Sequence, residues 1–352
     1  MHDIYKKYPA LADTLPVVEI AALPTPVKRL ERLGEAAGLS SLWVKRDDIS
    51  GAAYGGNKVR KLEFLLADAI EQDYEDVLTF GAVGSNHALA TALYAKRFGL
   101  KPHVVLSDQP PSESVKRKLR YHLKLETDVI AADGIREMMA AAAETTSRIA
   151  NRGRKTYRVP FGGSSPIGCI GFVNAAFELA AQVAEGLLPE PEAIYIACGT
   201  TGSATGLNLG LRLAGLATEV VAVQVTPGFL SGPAAHQTLF EQTNRLLHAL
   251  DRSIPLLNEP FTAIRHCEDQ FGDGYAEPTA EGKAAVRLIR QHEGVELEGT
   301  YTGKALAALL ADAGTLGDTP VLFWNTYNSR SYPELEAGDA QLLPESIRHY
   351  LD

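Results

Sequence analysis

A lysine that directly follows two glycines is the side chain in this sequence best suited to act as an amine nucleophile. Gly55 and Gly56 let the backbone turn tightly and approach a ligand, and Asn57 can cap the helix that follows. Lys58 then lies in the first helical turn, where the macrodipole disfavours positive charge, so partial burial should lower its pKa. The same residues are also typical of an ordinary glycine turn with a solvated lysine. Lys61, deeper in the helix, is expected to have a surface role.

Polar residues also open a predicted helix after the apolar run at 77–80. Ser85 and Asn86 offer a hydroxyl and an amide there, and ligands bind at the carboxyl ends of parallel strands. The pair is equally typical of a plain helix cap. His87 is expected to form hydrogen bonds or to pack rather than to catalyse.

A loop of glycines, threonines and serines at 198–206 lies between a predicted strand and a predicted helix. Small residues expose backbone N–H groups and the hydroxyls add donors, which suits a phosphate. The loop lacks the Lys-Ser/Thr ending of a P-loop and the G-x-G-x-x-G pattern of dinucleotide binding. A phosphate site and an ordinary capped turn both remain open.

Two tyrosines, a threonine and one polar segment complete the candidates. Tyr275 and Tyr301 lie in predicted loops, where tyrosines pack or, as a pair near a cofactor, act as acid and base. Thr302 follows Tyr301 directly, and the segment 325–329 follows a predicted strand.

Short apolar runs alternate with helical patterns along most of the chain, which predicts crossover units and parallel sheets covered by helices. The predicted strands are 42–45, 77–80, 103–106, 127–131, 193–198, 220–225 and 321–324. The predicted helices are 57–72, 85–98, 111–125, 135–150, 166–182, 207–214, 279–293 and 304–313. We expect two lobes, a larger one from 1–54 with 161–352 and a smaller one from 55–160.

Composition excludes several classes of protein. The 352 residues carry a formal net charge of −9, whereas a nucleic-acid binder needs a basic face. The three scattered cysteines fit neither a disulfide framework nor a zinc site, and we expect no bound metal. The charged N-terminus lacks a secretory apolar region, and no uncharged apolar run reaches the length of a membrane span. We therefore expect a cytoplasmic protein without nucleic-acid or membrane partners.

Taken together and in this order, the segments resemble the family of D-cysteine desulfhydrases and 1-aminocyclopropane-1-carboxylate deaminases. This family belongs to the tryptophan-synthase-β-like enzymes that use pyridoxal 5'-phosphate. The matching pieces are Thr25-Pro26-Val27, Val44–Asp48, Gly55–Glu63, Gly84–His87, Gly162–Gly168, the loop at 198–206, Gly274-Tyr275 and Tyr301–Ala305.

The resemblance implies a two-lobed α/β fold and a role for each matching residue. Lys58 would hold pyridoxal phosphate as a Schiff base and move the substrate's Cα proton. Ser85 would meet the substrate carboxylate, and Tyr275 and Tyr301 would line the substrate side. The remaining cofactor-binding positions would be Asn57, Asn86 for the 3-hydroxyl, Thr200, Thr201, Gly202 and Ser203 for the phosphate, and Thr302 for the pyridine nitrogen.

Thr302 and His87 match the desulfhydrases, because the deaminases carry glutamate and glutamine at these places. A neutral hydroxyl facing the ring nitrogen favours prompt β-elimination over transamination. The sequence departs from the family at Gly84, usually glutamine, at Ala88-Leu89, usually a more polar pair, and at 325–328, usually His-Thr-Gly-Gly. These departures lie around the expected substrate pocket.

The expected reaction is elimination or deamination of a small amino acid to a 2-oxo acid and ammonia, most simply from D-cysteine. A 1-aminocyclopropane-1-carboxylate deaminase, a cysteate sulfo-lyase and an amino-acid racemase remain alternatives with the same cofactor. Other classes are a regulatory or carrier protein that binds pyridoxal phosphate without turnover and a nucleotide-binding enzyme. We expect a homodimer, as is usual in this family.

Overall fold

The computed structural model describes residues 2–257, 263–333, 335 and 339–352. Contacts divide the chain into two compact units, the first from residues 1–15, 21–61 and 164–330 and the second from 16–20, 62–163 and 331–352. The predicted lobe bounds near 55 and 160 stay a prediction. In the contact units, 16–20 and the C-terminal residues 331–352 group with the middle segment.

The described residues form ten strands in two sheets. In chain order they are β1 Val27–Arg29, β2 Leu42–Lys45, β3 Asp76–Ala82, β4 Lys101–Ser107, β5 Asp128–Ala131, β6 Thr156–Arg158, β7 Ala193–Cys198, β8 Glu219–Gln224, β9 Ile264–Cys267 and β10 Val321–Trp324.

The helices connect these strands as crossovers and cover the sheets. They are α1 Asp3–Lys7, α2 Leu11–Thr14, α3 Glu31–Ala37, α4 Asn57–Glu71, α5 Asn86–Arg97, α6 Glu113–Lys124, α7 Gly134–Ala150, α8 Pro166–Ala184, α9 Gly202–Ala214, α10 Gly228–Ser231, α11 Pro233–Leu250, α12 Ala280–Glu293, α13 Thr302–Ala311 and α14 Ala313–Leu316.

The first unit contains a six-stranded sheet in the order β1-β2-β10-β7-β8-β9. Only the edge pair β1 and β2 is antiparallel among these described strands. The carboxyl ends of β2, β10, β7 and β8 therefore lie along one edge of the sheet, where α/β proteins bind ligands. Every residue of β7 and β10 is buried, as their continuous apolar sequences predict.

Alternate side chains of β7 enter two different cores, one on each face of the sheet. Tyr195 and Ala197 pack with the α12 and α13 residues of one cluster. Ile194 and Ile196 pack with α8 and α9 in the other. Such two-sided burial confirms the predicted parallel sheet covered by helices.

The second unit contains a parallel four-stranded sheet in the order β5-β4-β3-β6. Its core joins β4 and α5 to α6 and to the C-terminal 3₁₀ helix Glu345–Leu351, through Ile347 and Tyr350 among others. Ser85 precedes α5 at the carboxyl end of β3.

Helix α9 begins at Gly202, five residues before the start predicted from the sequence. The predicted loop at 198–206 is thus mostly helix, and the non-helical part is Gly199–Thr201. Among the described helices, α8 alone has the length and apolar composition of a membrane span. Most of this apolar stretch is buried. A helix in the core of a folded unit would have the same length and apolar composition.

Candidate active site

The Gly55-Gly56 turn anchors the start of α4 at the carboxyl edge of the first sheet. Gly56 has a φ of 92°, and a Cβ there would lie 2.9 Å from the carbonyl oxygens of Thr326 and Tyr327. The backbone N–H of Asn57 donates to the Thr326 carbonyl over 3.2 Å. Glycine at 56 is therefore required both for conformation and for close approach.

Lys58 follows in the first turn of α4 and is half-buried. Desolvation holds its pKa well below the ordinary lysine value, and the neighbouring charge of Lys61 lowers that pKa further. A neutral amine at physiological pH is the form that a nucleophile or a base requires.

The expected surface role of Lys61 is wrong. Lys61 is 2% exposed, and its Nζ donates to Ser164 Oγ over 3.2 Å. Burial lowers the pKa of Lys61 to about 8, so the side chain can still carry charge near neutrality. The spacing held a usable signal, because residues three apart share a helix face and Lys61 therefore accompanies Lys58.

The hydroxyl that Lys61 contacts belongs to a small network of hydroxyl and backbone N–H groups. The Thr200 and Ser164 hydroxyls lie 2.8 Å apart, and the Gly202 N–H donates to Ser164 Oγ over 3.2 Å. A Cβ on Gly202 would lie 2.4 Å from Ser164 Oγ and 2.7 Å from Lys61 Nζ. Glycine at 202 thus keeps open a small polar cradle that has a cation at its wall.

Asn57 and Ser203 join α4 to this cradle. The helix begins at Asn57 itself, so this residue is not the cap that precedes the helix. Its side-chain amide instead donates to Ser203 Oγ over 3.0 Å. Thr201 adopts φ 58°, unusual for a β-branched residue, immediately before α9. A cation, hydroxyls and the N-terminus of a thirteen-residue helix together suit a phosphate.

Tyr275 and Tyr301 form a hydrogen-bonded pair. Their hydroxyl oxygens lie 2.6 Å apart, and the rings meet edge to face. Burial raises the pKa of Tyr275 and holds that of Tyr301 well above the ordinary tyrosine value. Both hydroxyls are therefore neutral at physiological pH and can share or relay a proton.

Thr302 is fully buried beside a carboxylate that the sequence reasoning missed. Glu298 Oε1 lies 3.1 Å from the Thr302 hydroxyl and accepts the backbone N–H groups of Tyr301 and Thr302. Glu298 therefore caps α13 and offers an acceptor to the Thr302 hydroxyl proton. Its signal was a carboxylate just before a helix start, where the exposed N–H groups and the helix dipole favour negative charge.

Ser85, Asn86 and His87 lie in the second unit, at the start of α5. Ser85 Oγ accepts the Ala88 N–H over 3.1 Å, so Ser85 caps α5 and keeps its own proton for another acceptor. Asn86 is the first residue of the helix and is half-buried. His87 Nε2 lies 3.1 Å from the carbonyl oxygen of Pro160, consistent with the hydrogen-bonding role expected for it.

Within the described ranges, no group of three or more His, Cys, Asp or Glu side chains is arranged to hold a metal ion. Cys198, at the end of β7, is buried, and desolvation raises the pKa of its thiol to about 11. The thiol is thus neutral at physiological pH, and Lys58 is the better candidate for a nucleophile.

Comparison with known proteins identifies the family of this chain. The family described as "Pyridoxal-phosphate dependent enzyme" matches residues 18–326. A D-cysteine desulfhydrase of Yersinia enterocolitica is 34% identical over 88% of this chain and 93% of its own length. A Pyrococcus furiosus protein provisionally named a 1-aminocyclopropane-1-carboxylate deaminase is 34% identical over 92% of this chain and 95% of its own length.

A solved structure titled as an ACC deaminase homologue covers 91% of this chain and 94% of its own, with a TM-score of 0.79 and 30% identity. The predicted tryptophan-synthase-β-like fold class and the pyridoxal phosphate cofactor are confirmed. This chain belongs to the pyridoxal-phosphate dependent enzymes, within the family that contains the D-cysteine desulfhydrases and the 1-aminocyclopropane-1-carboxylate deaminases.

Proposed function

We propose that this enzyme is a lyase that acts on D-cysteine or a similar small amino acid. D-Cysteine and water would give pyruvate, hydrogen sulfide and ammonia. The observation that carries the proposal is a lysine of depressed pKa, Lys58, one helical turn from the buried Lys61 at a cradle of hydroxyl and backbone N–H groups. The desulfhydrase relative, similar along 88% of the chain, supports this choice of substrate.

The residues present fit pyridoxal phosphate. Thr200, Thr201, Gly202 and Ser203 would hold its phosphate with backbone and hydroxyl donors, and Lys61 would supply the balancing charge. When bound, the cofactor supplies an electron sink for the negative charge that develops at the substrate Cα.

Lys58 would bond to the cofactor at rest and move the Cα proton during turnover. Its lowered pKa makes the neutral amine, the form that accepts a proton, more accessible than in an ordinary lysine. The hydrogen bond from Asn57 to Ser203 holds the turn of α4 from which Lys58 extends.

The Tyr275–Tyr301 pair would hold a proton for the leaving sulfur. The short hydroxyl contact lets one tyrosine donate while the other stabilises it, and the raised pKa values keep both protonated. Ser85, whose hydroxyl proton remains free to donate, would bind the substrate carboxylate, and Asn86 would bind the cofactor's 3-hydroxyl.

Thr302 would face the pyridine nitrogen. When Glu298 accepts the Thr302 proton, the hydroxyl oxygen can only accept a hydrogen bond from the nitrogen; otherwise the hydroxyl could donate its proton to the nitrogen. Whether the pyridine nitrogen is protonated would then depend on Glu298 as well as on Thr302. The hydroxyl of Thr302 alone would not decide it.

We further propose that the enzyme works in the cytoplasm as a homodimer without nucleic-acid or membrane partners. The net charge of −9 argues against nucleic-acid partners and the scarcity of cysteine suits the cytoplasm, while the homodimer rests on the family resemblance alone.

The deciding experiment starts with a visible spectrum of the purified protein. D-Cysteine, L-cysteine, cysteate and 1-aminocyclopropane-1-carboxylate are then added separately, and the 2-oxo acid released from each is assayed. Sulfide and pyruvate from D-cysteine alone support the proposal. Keto acid from another compound reassigns the substrate, and an inverted amino acid without keto acid indicates a racemase. A cofactor band that responds to no amino acid indicates a carrier or regulatory protein.

Lys58→Ala should abolish the visible band of the bound cofactor, because the covalent link is lost. Lys101→Ala, at an exposed lysine, should leave the band unchanged. Persistence of the band in Lys58→Ala would assign the cofactor to another lysine, with Lys61 the first to test.

A further inference from the structure

The space beside Gly84, where any other residue would place its Cβ, is filled by the side chain of Gln109. A Cβ built on Gly84 would lie 2.6 Å from Gln109 Nε2 and 2.9 Å from its Oε1. The Gly84 N–H donates to Gln109 Oε1 over 3.1 Å. Gly84 is not among the glycines with positive φ, so room for Gln109, rather than backbone conformation, explains the glycine.

The loop that carries Ser85 is therefore held by side chains from other elements. Lys118 of α6 donates to the Gly84 carbonyl over 2.8 Å, so both polar groups of Gly84 have side-chain partners. Backbone bonds from Val83 to Ser107 and from Ser85 to Ala82 fix its two neighbours. The direction of the Ser85 hydroxyl depends on this loop.

Gln109 is itself fixed by the C-terminal 3₁₀ helix. The Tyr350 hydroxyl donates to the Gln109 carbonyl over 2.7 Å and accepts its N–H at 3.2 Å. Tyr350 packs with Val83, Val115 and Leu119 in the core of the second unit. The contacts run from Tyr350 through Gln109 and Gly84 to Ser85.

We propose that Gln109 is a positioning residue for substrate binding, which acts through the Gly84 peptide to fix Ser85. The proposal rests on the proposed role of Ser85 toward the substrate carboxylate. Related sequences usually have glutamine at position 84. In this chain that position is glycine, and the carboxamide beside it comes from Gln109, just after β4.

The first test is hydrogen exchange at the Gly84 amide. Gln109→Met keeps the length of the side chain but removes the acceptor, so this amide should exchange about tenfold faster. Gln109→Glu keeps an acceptor oxygen and should restore protection. Gln72→Met, at an exposed glutamine that bonds Asp68, is the control and should change nothing at Gly84. Unchanged exchange in Gln109→Met would overturn the proposal.

The second test is steady-state kinetics with the amino acid that the wild-type enzyme converts. A misplaced Ser85 weakens substrate and transition state alike, so Gln109→Met should raise KM about tenfold with kcat within about twofold. Gly84→Ala should raise KM to a similar degree, because the new Cβ displaces the Gln109 carboxamide. The double variant Gly84→Ala/Gln109→Met should have a KM no higher than that of either single variant. A KM equal to wild type, or additive effects, would overturn the proposal.

These outcomes separate the inference from the proposed function. A wild-type protein that converts none of the amino acids tested defeats the proposed function, whatever happens at Gly84. Wild-type turnover with an unaltered KM in Gln109→Met defeats the inference alone. Tyr350→Phe, which loses the bond to the Gln109 carbonyl, should reproduce a smaller part of both effects.

Discussion

Two lysines one helical turn apart would perform different tasks because their surroundings differ. Burial lowers the pKa of both, and the Lys61 charge lowers that of Lys58 further. Lys61 has the hydroxyl of Ser164 and an anion cradle beside it, so a bound phosphate would keep it charged. Charge on Lys61 in turn lowers the pKa of Lys58, which would join cofactor binding to the reactivity of the amine.

Lys61→Met should weaken cofactor binding while leaving its covalent site intact. Loss of a charge-assisted hydrogen bond costs about 1.5–3 kcal/mol, which corresponds to a Kd for pyridoxal phosphate about 10- to 100-fold higher. Titration of the apoprotein, followed by visible absorbance, measures this constant. Lys61→Arg should keep part of the affinity. The control variant Lys101→Met, at an exposed lysine, should bind the cofactor as tightly as the wild type does. An unchanged Kd in Lys61→Met would remove Lys61 from the phosphate site.

At the scale of elements, the close packing of α8 against α9 shapes the cradle. Gly206 and Gly210 lie one turn apart on α9, and a Cβ on either would collide with the backbone of α8. A Cβ on Gly206 would lie 2.4 Å from the Cys169 carbonyl oxygen, and a Cβ on Gly210 would lie 2.6 Å from the Val173 carbonyl oxygen. The same face of the helix begins at Gly202, so the helix spacing also fixes the cradle.

Gly206→Ala should therefore lower the free energy of unfolding by about 1–3 kcal/mol, because backbone atoms of α8 must move. Chemical denaturation measures the change. Gly314→Ala is the matched control, since a Cβ there meets nothing within 4 Å and its φ is not positive. Equal stability of the two variants would show that the helices can separate without cost.

Sequence reasoning succeeded where burial is simple and failed where tertiary packing decides. Strands β7 and β10 were predicted with their observed bounds, because a strand buried on both faces needs a continuous apolar run. The start of α9 was missed because Gly202–Gly206 has the composition of a loop, although contact with α8 demands those small residues. Lys61 was misplaced for a related reason, since only the fold shows that this face of α4 is covered.

At the scale of the whole molecule, the first unit is held together around a buried set of charges. Arg60 forms ion pairs with Asp47 and Glu178, and Lys45 pairs with Glu178 over 2.5 Å. Two cations and two carboxylates balance, and Thr25 satisfies further oxygens. Arg60 follows Lys58 by two residues, so the pairs that fix α8 and the region after β2 also fix the helix that carries the amine.

Glu178→Gln should destabilise the enzyme far more than loss of a surface charge. It leaves two buried cations with one carboxylate, a change that costs about 3–5 kcal/mol. The control Glu241→Gln breaks an exposed pair with Arg245, which is worth about 0.2–1 kcal/mol. Denaturant unfolding at pH 7 compares the two variants. Similar losses in both would mean that the cluster adds no net stability.

The same carboxylate predicts how the wild-type protein responds to acid. The Arg60 and Lys45 charges outweigh desolvation and lower the pKa of Glu178 to about 2 from an ordinary value of 4.5. A carboxyl whose folded pKa is depressed contributes stability that is complete above its unfolded pKa and is lost as pH falls through its folded pKa. Stability should therefore fall between about pH 5 and pH 2, by a few kcal/mol from this group. Glu178→Gln has no such proton to bind, so its unfolding free energy should depend less on pH in that window. If the two pH profiles run parallel, Glu178 is not the group whose protonation weakens the fold.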